Sequence, residues 1–108
     1  MRLSPLWQVK KQGVPSAGTR AIDYFRSQHL PGFWIHLDAD VLDEKIMPAV
    51  DSPQPGGMSY EELSDLLRIL LTSGLAVGMQ VTIFDPDLDP DGRIAQHFTA
   101  ALARGFSR

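Results

Sequence analysis

The sequence predicts an α/β fold with parallel strands, and three observations lead to that prediction. Residues 33–37 form a short apolar run typical of a buried strand, because aromatic and branched residues occupy both of its faces. Residues 75–84 form a second strand pattern rich in branched residues. Helical patterns alternate with these strands, an order typical of parallel strands joined by right-handed crossovers. We expect one domain over residues 1–108, with residues 1–15 as a poorly defined N-terminal segment.

The first predicted helix starts at Ser16, a residue type suited to the N-cap. Residues 29–31, which include a proline, are expected to end it. The apolar face of this helix consists of Ala21, Ile22 and Phe25. We expect that face to cover one side of the sheet.

The second helix has the clearest start signal in the chain. Ser59 and Glu62 stand three residues apart, which is the spacing of a capping box. The apolar positions that follow recur with helical spacing: Leu63, Leu66, Leu67, Leu70 and Leu71. We interpret this stripe as core and expect Gly74 to end the helix.

An aspartate-rich turn precedes the third predicted helix. Asp89 is the expected N-cap and Pro90 the first helical residue, with the helix running to about Phe106. Residues 87–92 also match the first half of a calcium-binding loop. Such a loop needs a bidentate glutamate at its twelfth position, which is Phe98 here. A turn with helix-capping aspartates is therefore the favoured interpretation.

Composition excludes several classes of function. A net charge of −3 with mixed signs gives no basic surface for nucleic acid and no polybasic stretch for a membrane. The absence of cysteine excludes disulfides, thiolate zinc sites and thiol nucleophiles. No apolar run approaches the roughly 20 residues that span a bilayer, and the first residues lack a signal-peptide core. We expect a cytoplasmic protein without nucleic-acid or membrane partners.

Two carboxylates, Asp38 and Asp40, follow the first strand pattern one residue apart. With a side-chain period of two they would point the same way. Two such charges repel unless a cation lies between them, so the spacing suits a hard divalent ion such as Mn²⁺ or Mg²⁺. The alternative is that the pair only ends a strand and opens a turn.

Three motifs follow one another directly after the start of this strand. His-Leu-Asp-Ala-Asp-Val-Leu-Asp occupies residues 36–43, Pro-Ala-Val-Asp-Ser-Pro residues 48–53, and Pro-Gly-Gly-Met-Ser residues 55–59. In order and spacing they resemble the arginase/agmatinase (ureohydrolase) family, which carries Ser-x-Asp-x-Asp-x-x-Asp-Pro, then Gly-Thr-Pro and Pro-Gly-Gly-Leu. The resemblance implies the C-terminal part of a three-layer α/β/α arginase-like fold, with parallel strands flanked by helices.

The resemblance also implies a metal site and a reaction. The two aspartates of Asp-x-Asp are ligands of a binuclear manganese centre in that family, so Asp38 and Asp40 would take this role. The metal pair lowers the pKa of a bridging water, and the resulting hydroxide attacks the guanidinium or amidine carbon of a small-molecule substrate. Asp43 corresponds to the third aspartate, which we interpret as bracing the loop. No residue of this chain is assigned as catalytic.

Several positions depart from the family pattern near the candidate site. His36 replaces the usual serine, and two roles stay open for it: a hydrogen-bond partner of a metal ligand, or a core histidine. Asp51 and Ser52 stand in place of Gly-Thr and are candidate substrate-loop residues. Ile83 occupies the position of a glutamate that pairs with the substrate, and isoleucine cannot balance a buried positive charge.

The remaining metal ligands of the family have no counterpart in this sequence. They lie in Gly-Gly-Asp-His and Asp-Ala-His-x-Asp motifs, which do not occur here. Two carboxylates can hold one labile ion completed by water, but they cannot hold a bridged pair. The expected function is therefore that of the C-terminal part of a metal-dependent C–N hydrolase for a guanidino or amidino compound, inactive as these residues alone.

Two other hypotheses stay open. The chain could be a non-catalytic arginase-like α/β module with an assembly or regulatory role, or a carboxylate site for Mg²⁺ or Ca²⁺ without catalysis. Part of a parallel sheet exposes strand edges and helix faces, which predicts a homo-oligomer. His29 and His97 are interpreted as structural.

Overall fold

The computed structural model describes residues 14–29, 31–50, 53 and 55–107. Helices and strands alternate in these ranges as the sequence predicts: α1 (Val14–Ser27), β1 (Phe33–Asp38), α2 (Tyr60–Thr72), β2 (Ala76–Thr82) and α3 (Arg93–Phe106). Short 3-10 turns, Ala39–Val41 and Pro86–Leu88, follow the two strands. No helix in the described ranges is long and apolar enough to cross a membrane.

β1 and β2 pair in parallel, which confirms the predicted strand direction. Burial alternates along β1, so the strand has two different faces. Phe33, Ile35 and Leu37 are buried in the core, whereas Trp34 is half-exposed. Trp34 lies against Gly78, where an added Cβ would come within 2.1 Å of the indole ring. The indole can therefore lie on the sheet only because its neighbour on β2 has no side chain.

α2 starts with the predicted capping box. The Ser59 hydroxyl accepts a hydrogen bond from the Glu62 N–H at 3.1 Å, and the Glu62 carboxylate accepts one from the Ser59 N–H at 3.1 Å. Gly74, with φ 78°, follows the last turn and confirms the predicted stop. The buried leucines of the stripe are Leu63, Leu66, Leu67 and Leu70. The capping box and the stripe confirm the prediction for this helix.

Helix α2 packs between α1 and α3, and glycines allow both contacts. A Cβ at Gly105 of α3 would lie 2.8 Å from the Cβ of Leu67, and one at Gly18 of α1 would lie 3.0 Å from Leu66. Ile22, the α2 leucines and Phe98 join the buried face of β1 in one core. One face of the sheet is therefore covered by helices, as expected for α1.

Ser16 lies inside helix α1 (Val14–Ser27), so the predicted N-cap at this residue was wrong. Pro15 lies in the first turn of Val14–Ser27, where a residue without an N–H donor is tolerated. The proline therefore does not prevent the helix from including residues before Ser16. At its other end, His29 has φ 55° and its N–H donates to the Arg26 carbonyl at 3.1 Å. This left-handed residue ends the helix, consistent with the structural interpretation of His29.

The aspartate-rich turn caps α3 but does not belong to it. The two carboxylate oxygens of Asp89 accept hydrogen bonds from the N–H groups of Ile94 at 3.0 Å and Ala95 at 2.9 Å. Gly92, with φ 71°, is the N-cap residue and cannot lie inside a right-handed helix, so the predicted N-cap at Asp89 and start at Pro90 were wrong. Because helix N–H groups occupy both oxygens of Asp89, the capping interpretation is favoured over a calcium loop.

Candidate functional site

The candidate site lies where the two parallel strands end. Asp38 is the last residue of β1 and pairs in register with Thr82, the last residue of β2. The Thr82 hydroxyl donates a hydrogen bond to Oδ1 of Asp38 at 2.8 Å. Asp38 is buried, so its carboxylate is held inside this edge of the sheet. In open α/β folds, ligands bind just beyond the carboxyl ends of the strands.

His36 lies on the same face of β1 as Asp38, two residues earlier. Its Nε2 is 2.9 Å from Oδ1 of Asp38, and its side chain is 40% exposed. An imidazole this exposed is not a core histidine. Of the two roles left open by the sequence, the geometry therefore favours a hydrogen-bond partner of a candidate metal ligand.

Asp40 lies in the 3-10 turn Ala39–Val41 and is partly exposed. The strand ends at Asp38, so the period-two argument that predicted a shared direction does not extend to Asp40. The two carboxylates remain neighbours in the chain at the end of β1. Their assignment as metal ligands stays a prediction.

Asp43 braces the loop that connects β1 to α2. Its carboxylate accepts hydrogen bonds from the backbone N–H of Lys45 at 2.9 Å and of Gly57 at 3.2 Å. The Lys45 bond is the main reason that the pKa of Asp43 lies below its ordinary value. Two backbone hydrogen bonds also join the ends of this loop. The Asp43 N–H donates to the Met58 carbonyl at 3.0 Å, and the Met58 N–H donates to the Val41 carbonyl at 2.9 Å. This geometry agrees with the bracing role inferred for Asp43.

The segment after Asp43 connects the ends of the two strands. The Asp85 N–H donates to the Ala49 carbonyl at 2.8 Å, just beyond β2. The Tyr60 hydroxyl donates to the Ile46 carbonyl at 3.1 Å, and burial raises the pKa of Tyr60. Sequence reasoning missed these contacts because each joins a main-chain carbonyl to a group 14 or more residues away. The Asp85–Ala49 bond holds the loop after β1 beside the turn after β2, and the Tyr60–Ile46 bond ties that loop to the start of α2.

Ile83 has a backbone conformation that is rare for a branched residue. Its φ is 79°, in the left-handed region, and this residue ends β2 one position after Thr82. The predicted strand over residues 75–84 was therefore too long. The side chain is 45% exposed. It lines an open cavity of about 350 Å³ together with Val81, Thr82, Phe84, Ala95, Phe98, Thr99 and Leu102.

The described residues at this edge offer two candidate ligands and no complete metal site. Among the described residues, no group of three or more histidine, cysteine, aspartate or glutamate side chains could hold a metal. Asp38 and Asp40 offer the carboxylate oxygens that hard divalent ions prefer, with water completing the shell. They do not fit the bridged manganese pair that the resemblance implies. Asp51 and Ser52 lie outside the described residues, so their role in a substrate loop stays a prediction.

Fold and site define an α/β protein with carboxylates at the edge where parallel strands end. The family model described as "Arginase family" matches residues 1–107. This chain belongs to the arginase family. The N(1)-aminopropylagmatine ureohydrolase of Thermus thermophilus is 32% identical over 99 residues, which cover 92% of this chain and 30% of that protein. Arginase of Agrobacterium fabrum is 35% identical over 74 residues, which cover 68% of this chain and 23% of that protein.

Solved structures of other proteins show the same fold. Arginase from Bacillus caldovelox matches with a TM-score of 0.82 at 23% identity, over 97% of this chain and 35% of that chain. Formimidoylglutamase from Bacillus subtilis matches with a TM-score of 0.76 at 21% identity, over 95% of this chain and 33% of that chain. These matches confirm the predicted arginase-like α/β fold. The chain spans about a third of the length of the relatives that it matches.

Proposed function

We propose that this chain is the part of an arginase-family C–N hydrolase that contributes Asp38 and Asp40 to a divalent metal site. The proposed metal is manganese, and the proposed substrate is a small guanidino or amidino compound. These 108 residues alone are proposed to be inactive. The observation that carries the proposal is the position of Asp38, buried at the end of β1 and held by Thr82 across the parallel pair.

The protein's own residues prepare the site in two ways. Thr82 and His36 hold the Asp38 carboxylate, and the Asp43 hydrogen bonds fix the loop that follows the two candidate ligands. A divalent ion bound there supplies Lewis-acid chemistry for hydrolysis of a C–N bond. The relatives named arginase and N(1)-aminopropylagmatine ureohydrolase support a guanidino substrate. A cytoplasmic location is proposed with this activity.

A non-catalytic arginase-like module, with an assembly or regulatory role, is the second candidate, and Ile83 is the observation that favours it. The family pattern has a glutamate at this position, where a carboxylate pairs with a cationic substrate. Ile83 offers a half-exposed apolar side chain at that point. A guanidinium group placed there would meet no compensating charge from this residue.

Mn²⁺ titration by calorimetry tests the metal part of the proposal. We expect the chain to bind Mn²⁺ at micromolar strength and the double variant Asp38→Asn, Asp40→Asn to lose that binding. Asp65→Asn changes an exposed carboxylate on α2 and should bind like the wild type, which makes it the matched control. Unchanged binding by the double variant would show that the ligands lie elsewhere.

A chimera tests the reaction. The segment of Thermus thermophilus N(1)-aminopropylagmatine ureohydrolase that aligns with this chain is replaced by the matching 99 residues. We expect the folded chimera to release urea from N(1)-aminopropylagmatine, and Asp38→Asn to abolish that release. A folded chimera that binds Mn²⁺ but releases no urea, even with Ile83→Glu, would favour the non-catalytic module.

We also propose that the chain forms a homo-oligomer through the sheet. Within the described ranges the sheet has two strands, so each strand keeps one edge without a neighbour in those ranges. Val77 on β2 is 70% exposed, and Trp34 on β1 is half-exposed. Burial of such apolar side chains against a second copy would remove them from water.

A further inference from the structure

Four polar side chains on one face of the β1–β2 pair form a connected hydrogen-bond network. His36 lies opposite Gln80, and Asp38 lies opposite Thr82. Because the two pairs are two residues apart along each strand, all four side chains project from the same face. This is the face that carries Trp34, opposite the helix-covered core.

The contacts of His36 favour one of its two neutral tautomers. Nε2 lies 2.9 Å from Oδ1 of Asp38, an acceptor, and Nδ1 lies 3.4 Å from the Gln80 side-chain amide nitrogen, a donor. The tautomer with hydrogen on Nε2 satisfies both contacts, since Nε2 then donates to Asp38 and Nδ1 accepts from Gln80. The opposite tautomer would place two donors against each other and two acceptors against each other.

Two donors converge on a single carboxylate oxygen. Thr82 donates to Oδ1 of Asp38 at 2.8 Å, and His36 Nε2 lies 2.9 Å from the same oxygen. Nε2 also lies 3.2 Å from the Thr82 hydroxyl oxygen, which can accept from it while the hydroxyl donates to Asp38. One donor leaves a carboxylate free to rotate about its hydrogen bond. Two donors from different strands fix its orientation as well as its position.

We propose that His36, held in its Nε2–H tautomer by Gln80, is a positioning residue that fixes the Asp38 carboxylate for metal binding. This inference rests on the proposed function, because it concerns how well Asp38 serves as a ligand. His36 does not touch substrate or metal in this proposal. It acts on Asp38 directly and through the Thr82 hydroxyl, and Gln80 acts through His36.

Mn²⁺ affinity of His36 variants tests the positioning role. Partners that orient a metal ligand typically contribute 10-fold to 100-fold in affinity, so we expect His36→Phe to raise the Kd for Mn²⁺ about 10-fold. His36→Gln keeps a side-chain N–H donor and should recover most of the affinity. His97→Phe changes an exposed histidine on α3 and should bind like the wild type. Equal affinities of wild type and His36→Phe would overturn the inference and leave the proposed function intact.

Nitrogen-15 NMR of the metal-free protein at pH 8 provides a readout that a merely structural histidine would not give. We expect His36 to carry its proton on Nε2, and Gln80→Leu both to reduce that preference and to raise the Kd for Mn²⁺. A proton on Nδ1 would overturn the inference.

If the wild-type chain binds no Mn²⁺, the proposed metal role of this chain alone fails, and the His36→Phe comparison in the ureohydrolase chimera decides the role of His36. Far-UV circular dichroism confirms that each variant is folded.

Discussion

The carboxylate of Asp43 accepts a hydrogen bond from the backbone N–H of Gly57 at 3.2 Å, across 14 residues of chain. Together with the Asp43 to Met58 backbone bond, it closes the neck of the loop between β1 and α2. The candidate ligands Asp38 and Asp40 stand directly before this neck. Order in the loop and order at the candidate site should therefore change together.

The first prediction concerns the glycine pair of the loop. A Cβ at Gly57 would lie 2.4 Å from Asp43 N and 2.5 Å from the Leu42 carbonyl carbon, and backbone atoms cannot move aside. Gly57→Ala should lower the free energy of unfolding by about 3 kcal/mol. Gly56 has open space and only a positive φ of 71°, so Gly56→Ala should cost about 1 kcal/mol. Urea unfolding of both variants checks the difference, and equal costs would contradict the close contact.

The second prediction concerns acid stability. The pKa of Asp43 lies below its ordinary value, chiefly because the Lys45 N–H donates to the ionised carboxylate. A carboxyl whose pKa is lowered on folding stabilises the protein above its unfolded pKa of about 3.9, and loses that contribution as the pH falls through the folded pKa. The difference in melting temperature between wild type and Asp43→Asn should be largest near pH 7 and shrink below about pH 4.

Scanning calorimetry from pH 7 to pH 3 checks this dependence. Asp65→Asn, which removes a carboxylate from the exposed face of α2, controls for the general effect of losing a negative charge. A difference between wild type and Asp43→Asn that stays constant with pH would mean that the ionised carboxylate is not what holds the loop.

The third prediction concerns the backbone at Ile83. A branched residue with φ near 79° is strained, and asparagine tolerates the left-handed region better. Ile83→Asn should therefore raise the free energy of unfolding by up to about 1 kcal/mol, measured by urea unfolding. Val81→Asn, the same type of change in the extended part of β2, should destabilise. A loss of stability for Ile83→Asn as large as that for Val81→Asn would exclude strain at this position.

The fourth prediction concerns association of the chain. Size-exclusion chromatography with light scattering should detect dimers or larger species of the wild type. Val77→Lys places a charge on the exposed part of β2 and should shift the population towards monomer. Leu88→Lys changes an equally apolar, half-exposed residue away from the strands and should leave the distribution unchanged. A monodisperse wild-type monomer would contradict the proposed homo-oligomer.

The order of the elements could be predicted from sequence because a helix shows both its capping residues and the spacing of its buried side chains in the local sequence. Ser59 and Glu62 marked the start of α2, and its leucine spacing marked the buried face. The boundaries that were wrong depend on backbone conformation. The left-handed φ of Ile83 ends β2 early, and the left-handed φ of Gly92 delays the start of α3. Neither φ value follows from residue type alone.

The candidate site was only partly predictable. The carboxylates at the end of β1 are visible in the sequence, and the resemblance assigned them a role. Thr82 and Gln80 could not be identified, because their importance depends on the register that places them opposite Asp38 and His36. The sequence feature that could have identified them is that Gln80 and Thr82 are a polar pair, two residues apart, in an otherwise apolar second strand.

The same polar pair has a consequence for how the strands find each other. The register of a strand is fixed where a slip of one residue would turn its buried side chains outward, as it would for Phe33, Ile35 and Leu37 of β1. The polar pair on β2 adds to that constraint. A slip of one residue would remove Gln80 and Thr82 from their partners and turn them to the helix-covered side, where hydrogen-bond partners are scarce. Gln80 and Thr82 therefore favour a single register, and a strand from another chain that lacked such a pair would leave His36 and Asp38 without these partners.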